Sequence, residues 1–354
     1  MPLPLILGVA AIAAAGFGAK KGYDGYQDKS EANDILARAK EKYESNKVSF
    51  DEANELTTNS LTKLGELQLK VGTDFKEFRT ISKSLLVKLN QSGNKDLTID
   101  FPQHKLDKID GLALSTTSYV GKIAGGGVAG AAAAYAVYGG VMALAAASTG
   151  TPIAALSGAA AYNATMAAIG GGALSAGGFG MAGGAMVLGG VVAAPILAIA
   201  GWAFASHAED ALNDAWDTET EIDNAVSKMS KAKIQLNKTQ DFVERIYIQT
   251  ERIYHSFLQY FDNLKKMNLL IENGGNIETV ESELIEIIQN GYQVAAVLTD
   301  IIITPLFKPK QDCDGSVVVN DENVVEIQLD ADGMQIINEE AIEEGLKKAE
   351  SFTA

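Results

Sequence analysis

The sequence predicts a mainly α-helical protein. We expect an elongated helical bundle or coiled coil with a Gly/Ala-rich apolar membrane-inserting hairpin and a small β-type C-terminal tail. Three observations predict this fold. Apolar residues recur at alternating three- and four-residue spacings on both sides of the middle of the chain, which is typical of packed amphipathic helices. Between them lies a run of 86 uncharged residues, 123–208. Short β-branched runs follow near the C-terminus.

Composition and charge exclude several classes of protein. The chain has 354 residues and a single cysteine, Cys313, so an internal disulfide framework and a Cys-based zinc site are excluded. Residues 1–122 carry 17 Lys/Arg against 16 Asp/Glu, a balance of +1, whereas residues 209–354 carry 12 against 29, a balance of −17. Nucleic-acid binding needs a clustered basic surface, so this acidity argues against a nucleic-acid partner.

The N-terminal segment, residues 1–29, is predicted to be membrane-active. Its first 19 residues are apolar, and Lys20 and Lys21 follow them. A secretory signal peptide normally has its positive charge before the apolar run. We therefore interpret the segment as a membrane-active helix, with a signal peptide as the alternative.

Residues 30–122 are predicted to form amphipathic helices. Thr57, Ser60 and Asp74 interrupt an apolar stripe that otherwise indicates burial against other helices. The apolar members of that stripe are Phe50, Ala53, Leu64, Leu67, Val71, Phe78, Ile81 and Leu85.

The uncharged segment, residues 123–208, is predicted to be a transmembrane hairpin. It holds 19 of the 35 glycines, and its first part, 123–147, exceeds the roughly 20 residues that cross a bilayer. A second span is predicted to run from Gly170 to Ala205, with Trp202 at the membrane interface. The alternative is an apolar hairpin buried inside a soluble bundle.

Small residues recur every fourth position in this segment, which gives a helix a flat face for close packing. In water each glycine within a helix costs about 1 kcal/mol relative to alanine, whereas in hydrocarbon the helix is enforced by its backbone hydrogen bonds. The predicted membrane helix-packing positions are Gly126, Gly130, Gly172, Ala176, Gly180 and Gly184.

Residues 209–311 return to amphipathic helices. One apolar stripe ends near Leu236, and a second runs from Val243 to Ile271 at heptad spacing. Residues 312–354 form an acidic tail with short β-type runs and a helix over 339–350. Two Asp-x-Asp-Gly motifs in the tail resemble half of a calcium loop, but tight turns explain them better.

No catalytic or cofactor-binding motif is evident. The glycines form no G-x-x-x-x-G-K-[ST] phosphate loop, and no Ser-His-Asp or Cys-His arrangement is suggested. The three histidines, His104, His207 and His255, lie far apart, so no metal site is predicted. We expect a protein that is not an enzyme and holds no cofactor.

The layout of residues 30–305 resembles that of the α-helical pore-forming toxins of the cytolysin A and haemolysin BL type. The matching parts are a helical stripe (50–85), the uncharged segment (123–205) and further stripes (212–303). The resemblance implies an elongated bundle whose apolar segment is sheltered in a soluble form and later inserts to assemble a pore. Apolipoprotein-L-like proteins combine similar parts.

The functional prediction is a membrane-inserting helical protein that oligomerises through small-residue helix faces and forms pores in, or remodels, a lipid bilayer. Its expected partners are the bilayer and further copies of the chain, with companion subunits left open. The expected location is the membrane, with secretion of a soluble form before insertion left open. The alternative is a permanently membrane-anchored adaptor or scaffold whose acidic tail recruits a soluble partner.

Overall fold

The computed structural model confirms a mainly α-helical protein. Helix makes up 84% of the interpretable residues, and these contain no strand. The helices are α1 (Asp24–Gly93), α2 (Gln103–Ile123), α3 (Ala211–Glu272), α4 (Glu281–Ile302) and α5 (Glu339–Ser351), with a 3-10 helix at Ile277–Val280. The structure describes residues 24–93, 99–123, 132–133, 135–137, 211–315, 317–318, 327–331 and 334–352.

The chain divides into two compact units, and α1 and α3 contribute residues to both. In the first unit, which draws on Met1–Glu52 and Val192–Ile234, Lys42 Nζ lies 2.7 Å from Asp223 Oδ1. Lys233 Nζ donates a hydrogen bond of 2.5 Å to Ser49 Oγ. Residue numbers on the two helices therefore rise together, and α1 and α3 run in the same direction within this unit.

In the second unit, α1 and α3 are also parallel. The Thr57 hydroxyl lies 3.1 Å from the carbonyl oxygen of Leu236, and the rings of Phe75 and Phe257 have centroids 5.0 Å apart. Further along, Ser92 Oγ donates to Glu278 Oε1 at 3.1 Å. The difference between the sequence numbers of contacting residues therefore stays close to the difference between Phe75 and Phe257.

Aromatic side chains form the centre of the second unit. Phe78 packs against Phe261 and against Tyr292 of α4, with ring centroids 6.1 Å and 5.2 Å apart. Phe75, Phe78 and Phe257 are at most 1% exposed. Large aromatic side chains bury much apolar area, and each ring pair adds about 0.5–1.5 kcal/mol beyond that burial. This core fixes α1, α3 and α4 against one another.

Helix α2 lies against α1 in the opposite direction. Arg79 of α1 is paired with Asp110 of α2, whereas Gly72 of α1 contacts Thr116, so numbers rise on one helix as they fall on the other. Lys108 of α2 also forms an ion pair of 3.1 Å with Asp300 of α4.

A tight turn connects α3 to the 3-10 helix. Gly274 has φ +88°, a left-handed backbone conformation that favours glycine, and its N–H donates to the carbonyl oxygen of Ile271. Asn276 Oδ1 then accepts a hydrogen bond from the N–H of Glu278 and caps the 3-10 helix.

The C-terminal tail has isolated antiparallel β-bridges and then α5. The bridges join Phe307 to Ile337, Pro309 to Ile327, Gln311 to Val317, and Leu329 to Gln335. Gly315 has φ +80° and donates its N–H to the carbonyl oxygen of Asp312, so the first Asp-x-Asp-Gly motif forms a turn. Ile342, Leu346 and Ala349 of α5 are buried in the core of the second unit.

The predicted transmembrane helices and membrane localisation are wrong. No helix among the described residues is both long enough and apolar enough to cross a membrane. The long helices fail on composition, because α1 and α3 carry charged side chains along their whole length. The predicted hairpin itself, 123–208, is described only at residues 123, 132–133 and 135–137.

Candidate anchoring site of the uncharged segment

Two glycines, about two helical turns apart on α1, shape this site: Gly65 contacts the start of the uncharged segment and Gly72 contacts α2. A methyl group added at Gly65 would lie 1.7 Å from the carbonyl oxygen of Ala132, and one added at Gly72 would lie 2.1 Å from Thr116 Oγ1. No side chain fits at such distances. Because the two glycines are seven residues apart, they lie on one face of α1, where they admit the segment and α2.

Tyr135 is the main side chain that the segment places in this site. It is fully buried, and its hydroxyl lies 2.7 Å from Thr116 Oγ1 of α2. Its ring packs against that of Tyr119, with centroids 5.1 Å apart. Burial raises the pKa of Tyr135 to about 12, although its hydrogen bond with Thr116 acts to lower it. The phenol is therefore neutral at physiological pH, and it serves as a hydrogen-bonded apolar anchor.

The other described residues of the segment are small and buried. Ala132 and Ala133 are fully buried, and Val137 is 3% exposed. Ala132 and Tyr135 form one cluster with Leu69 of α1. Small side chains allow the backbone of the segment to approach α1 closely, which explains why glycine is needed at position 65.

An ion pair also joins α1 to α2, six residues before Thr116 on α2. Arg79 Nη2 lies 2.5 Å from Asp110 Oδ2, and both side chains are partly buried. Burial, followed by a smaller contribution from Asp107, raises the pKa of Asp110, although Arg79 and Lys83 act to lower it. Desolvation of the carboxylate is thus the largest single influence on its pKa.

The chemistry of the site is that of holding a chain segment. The close approach at Gly65 and the hydrogen bond between the Tyr135 and Thr116 hydroxyls position Ala132 and Tyr135, and no nucleophile is paired with a base among the described residues of the site. No cluster of three His, Cys, Asp or Glu side chains that could hold a metal ion occurs in the described part of the chain. Cys313 is exposed in the tail. The expectation that the protein is not an enzyme stays a prediction.

The residues predicted to mediate membrane helix packing lie outside the described residues. These are Gly126, Gly130, Gly172, Ala176, Gly180 and Gly184, together with Trp202 at the predicted interface. Close helix packing through small residues is found instead at Gly65, Gly72 and Gly291 of the amphipathic helices.

Sequence reasoning missed these three glycines. Each stands inside a predicted helical stripe, and glycine within an amphipathic helix is the signal that could have identified them, since it costs helix stability unless packing requires it. Tyr135 gave no such signal, because one aromatic residue in an apolar run has no distinctive spacing.

The fold and the site define a mainly α-helical protein in which the start of an uncharged Gly/Ala-rich segment is anchored on amphipathic helices. No protein-family model, curated protein or solved structure matches the chain.

Proposed function

We propose that the protein is a non-catalytic helical bundle that binds the start of its own uncharged segment and self-associates through the rest of that segment. The observation that carries the proposal is the approach of Ala132 to Gly65, because it identifies small-residue backbone packing as the way in which this segment meets a helix. Small residues recur at every fourth position later in the segment, at Gly172, Ala176, Gly180 and Gly184.

The heptad pattern of α1 and α3 supports the bundle. Phe75 and Phe257 face each other, and the apolar residues two heptads before them, Leu61 and Val243, are buried as well. Helices α2 and α4 pack on this pair through the Arg79–Asp110 ion pair and the Phe78–Tyr292 ring contact. An apolar seam of this length is typical of helical bundles.

Composition supports self-association as the role of the segment. Its 86 residues contain no charged side chain, and a large apolar surface in a soluble protein marks an interaction site. A second copy of the chain carries the same small-residue faces, so the segments of two copies can pack against each other without another protein. The acidic residues 209–354, with a balance of −17, keep other surfaces of two copies apart.

Sedimentation velocity of the full chain tests this proposal. We expect wild type to sediment as an oligomer at micromolar concentration, and Gly180→Leu combined with Gly184→Leu to sediment as a monomer. Ala182→Leu combined with Met186→Leu is the matched control, because these positions lie on the opposite face of a helix and should leave the oligomer intact. A monomeric wild type, or a Gly180/Gly184 variant that associates as wild type does, would refute the proposal.

Pore formation stays a prediction from the sequence, and release of an entrapped dye from liposomes by the wild-type chain checks it. Recruitment of a soluble partner by the acidic tail also stays a prediction. In the described structure Glu339 and Glu343 of the tail pair with Lys238 and Arg245 of α3, so a partner would meet the exposed outer face of α5.

A further inference from the structure

A polar layer lies inside the α1–α3 pair at the level of the anchoring site. Gln68 of α1 is 3% exposed and Thr250 of α3 is fully buried. Each stands one heptad before a member of the Phe75–Phe257 ring pair, so the heptad repeat places Gln68 and Thr250 opposite each other.

This layer leaves two buried polar atoms without a hydrogen bond. Gln68 Oε1 and Thr250 Oγ1 have no hydrogen-bond partner among the described residues. Ser82 Oγ, one heptad after Phe75, is also buried without a partner among the described residues, whereas the buried Thr57 and Thr239 hydroxyls donate to the carbonyl oxygens of Ala53 and Gln235, each at 2.8 Å. A buried polar atom without a partner lowers the stability of the packed state.

The layer and the anchor occupy the same turns of α1. Gly65 and Leu69, which contact the start of the uncharged segment, flank Gln68 in sequence. Residues 65 and 69 face the segment, while the heptad repeat places Gln68 towards α3. A separation of α1 from α3 at Gln68 would therefore also displace the surface against which Ala132 and Tyr135 pack.

We infer that the Gln68–Thr250 layer is a release point: α1 loosens from α3 at this layer and thereby frees the anchored start of the uncharged segment. A polar layer within an apolar helix pair reduces stability locally while the aromatic core around Phe78 stays closed. The consequence of release, self-association, rests on the proposed function, whereas release itself does not.

Hydrogen exchange of the full chain tests this inference. In Gln68→Leu combined with Thr250→Val, the layer becomes apolar at nearly the same volume. We expect the midpoint of thermal unfolding to rise by a few degrees and the exchange of amides 132–137 to slow about tenfold or more. Thr239→Val is the control, because its hydroxyl already has a partner, and it should slow no exchange at these amides. Gln68→Met supplies a milder variant if the double one does not fold.

Two outcomes would overturn the inference. Exchange of amides 132–137 that stays at the wild-type rate while the unfolding midpoint rises would make the layer a determinant of helix register alone. An unfolding midpoint that falls in both the double variant and Gln68→Met would mean that the polar groups stabilise the packed state. The Gly180/Gly184 variant separates the two proposals, because it should abolish association without changing exchange at 132–137.

Discussion

The phenol of Tyr254 on α3 donates a hydrogen bond to the carboxylate of Asp74 on α1, and the Lys70 ammonium lies 5.5 Å from the centroid of the Tyr254 ring. Tyr254 is 3% exposed, so this polar contact is made at the edge of the apolar seam. Burial, followed by the hydrogen bond and charge of Asp74, raises the pKa of Tyr254 far above its usual range. The pair fixes the register of α1 and α3 beside the aromatic core, where the rings of Tyr254 and Phe257 stack with centroids 6.4 Å apart.

Tyr254→Phe should therefore destabilise the second unit. Loss of a hydrogen bond to a charged group costs about 1.5–3 kcal/mol, and the ring itself is retained. Urea unfolding followed by circular dichroism gives the change. In a double-mutant cycle with Asp74→Asn, the coupling energy should account for most of the loss. If the two single effects simply add, the contact does not contribute to stability.

Gly65→Ala should destabilise the protein, although alanine in place of glycine normally stabilises a helix. Replacing a glycine inside an exposed helix by alanine normally stabilises by about 1 kcal/mol. At Gly65 the added methyl group would overlap the carbonyl oxygen of Ala132, so we expect a loss of about 1–3 kcal/mol and faster hydrogen exchange at 132–137.

Gly111→Ala is the matched control for this prediction. Gly111 lies inside α2, and no atom stands within 4 Å of the position that its Cβ would take among the described residues. This variant should raise the free energy of unfolding by about 0.5–1 kcal/mol. Equal effects of the two substitutions would show that Gly65 does not hold the segment.

The buried faces of α1 and α3 could be predicted from sequence, because heptad spacing alone decides which side of a helix is apolar. Phe50, Leu64, Val71, Phe78 and Leu85 were all predicted to pack, and all are buried. The same spacing does not determine which helix packs against that apolar face, or in which direction. The parallel direction of α1 and α3 depends on the path of residues 94–210, about which the stripes contain no information.

The anchoring site could not be predicted for a related reason. Whether Gly65 is a defect in a helix or a contact surface depends on the backbone that approaches it, and Ala132 is 67 positions away in sequence. The contacts between the cations of α3 and α5 could not be predicted either, because the contacting residues are distant in sequence. Lys238, Arg245 and Arg252 have a visible seven-residue spacing, but their partners follow about a hundred residues later.

Asp110→Asn should stabilise the second unit at neutral pH although it removes an ion pair. Burial and the charge of Asp107 raise the pKa of Asp110 above its ordinary value of 3.8, against the attraction of Arg79 and Lys83, and Tyr292 of α4 faces the same region. A group with a raised pKa in the folded state favours folding when protonated, and asparagine resembles the protonated form.

The pH dependence gives this prediction its check. The advantage of Asp110→Asn should be present at about pH 7 and should disappear as the pH falls below about 4, where the wild-type carboxyl is itself protonated. Urea unfolding at the two pH values measures it. A variant that is less stable than wild type at about pH 7 would show that the pairing with Arg79 outweighs desolvation.

Charge reversal at Arg245 should loosen the packing of α5 on α3, and a charge swap should restore it. Arg245 donates two hydrogen bonds, of 2.5 Å and 2.9 Å, to the two carboxylate oxygens of Glu343, and Arg252 donates to the carbonyl oxygens of Ala349 and Phe352 at the end of α5. We expect Arg245→Glu to speed amide exchange in α5, and Arg245→Glu with Glu343→Arg to return it towards the wild-type rate. Lys265→Glu, a reversal at another cation of α3, should leave α5 unchanged.

The acid response of α5 follows from the same contact. The hydrogen bond from Arg245 lowers the pKa of Glu343 below its ordinary value of 4.5. A lowered pKa in the folded state means that the stabilisation is present above the ordinary value and is lost as the pH falls through the folded one. Protection of the α5 amides, corrected for intrinsic exchange rates, should therefore decrease below about pH 4 in wild type. In Glu343→Gln this decrease should be smaller, because the side chain at 343 no longer titrates; an unchanged acid response would assign it to other carboxyl groups of the tail.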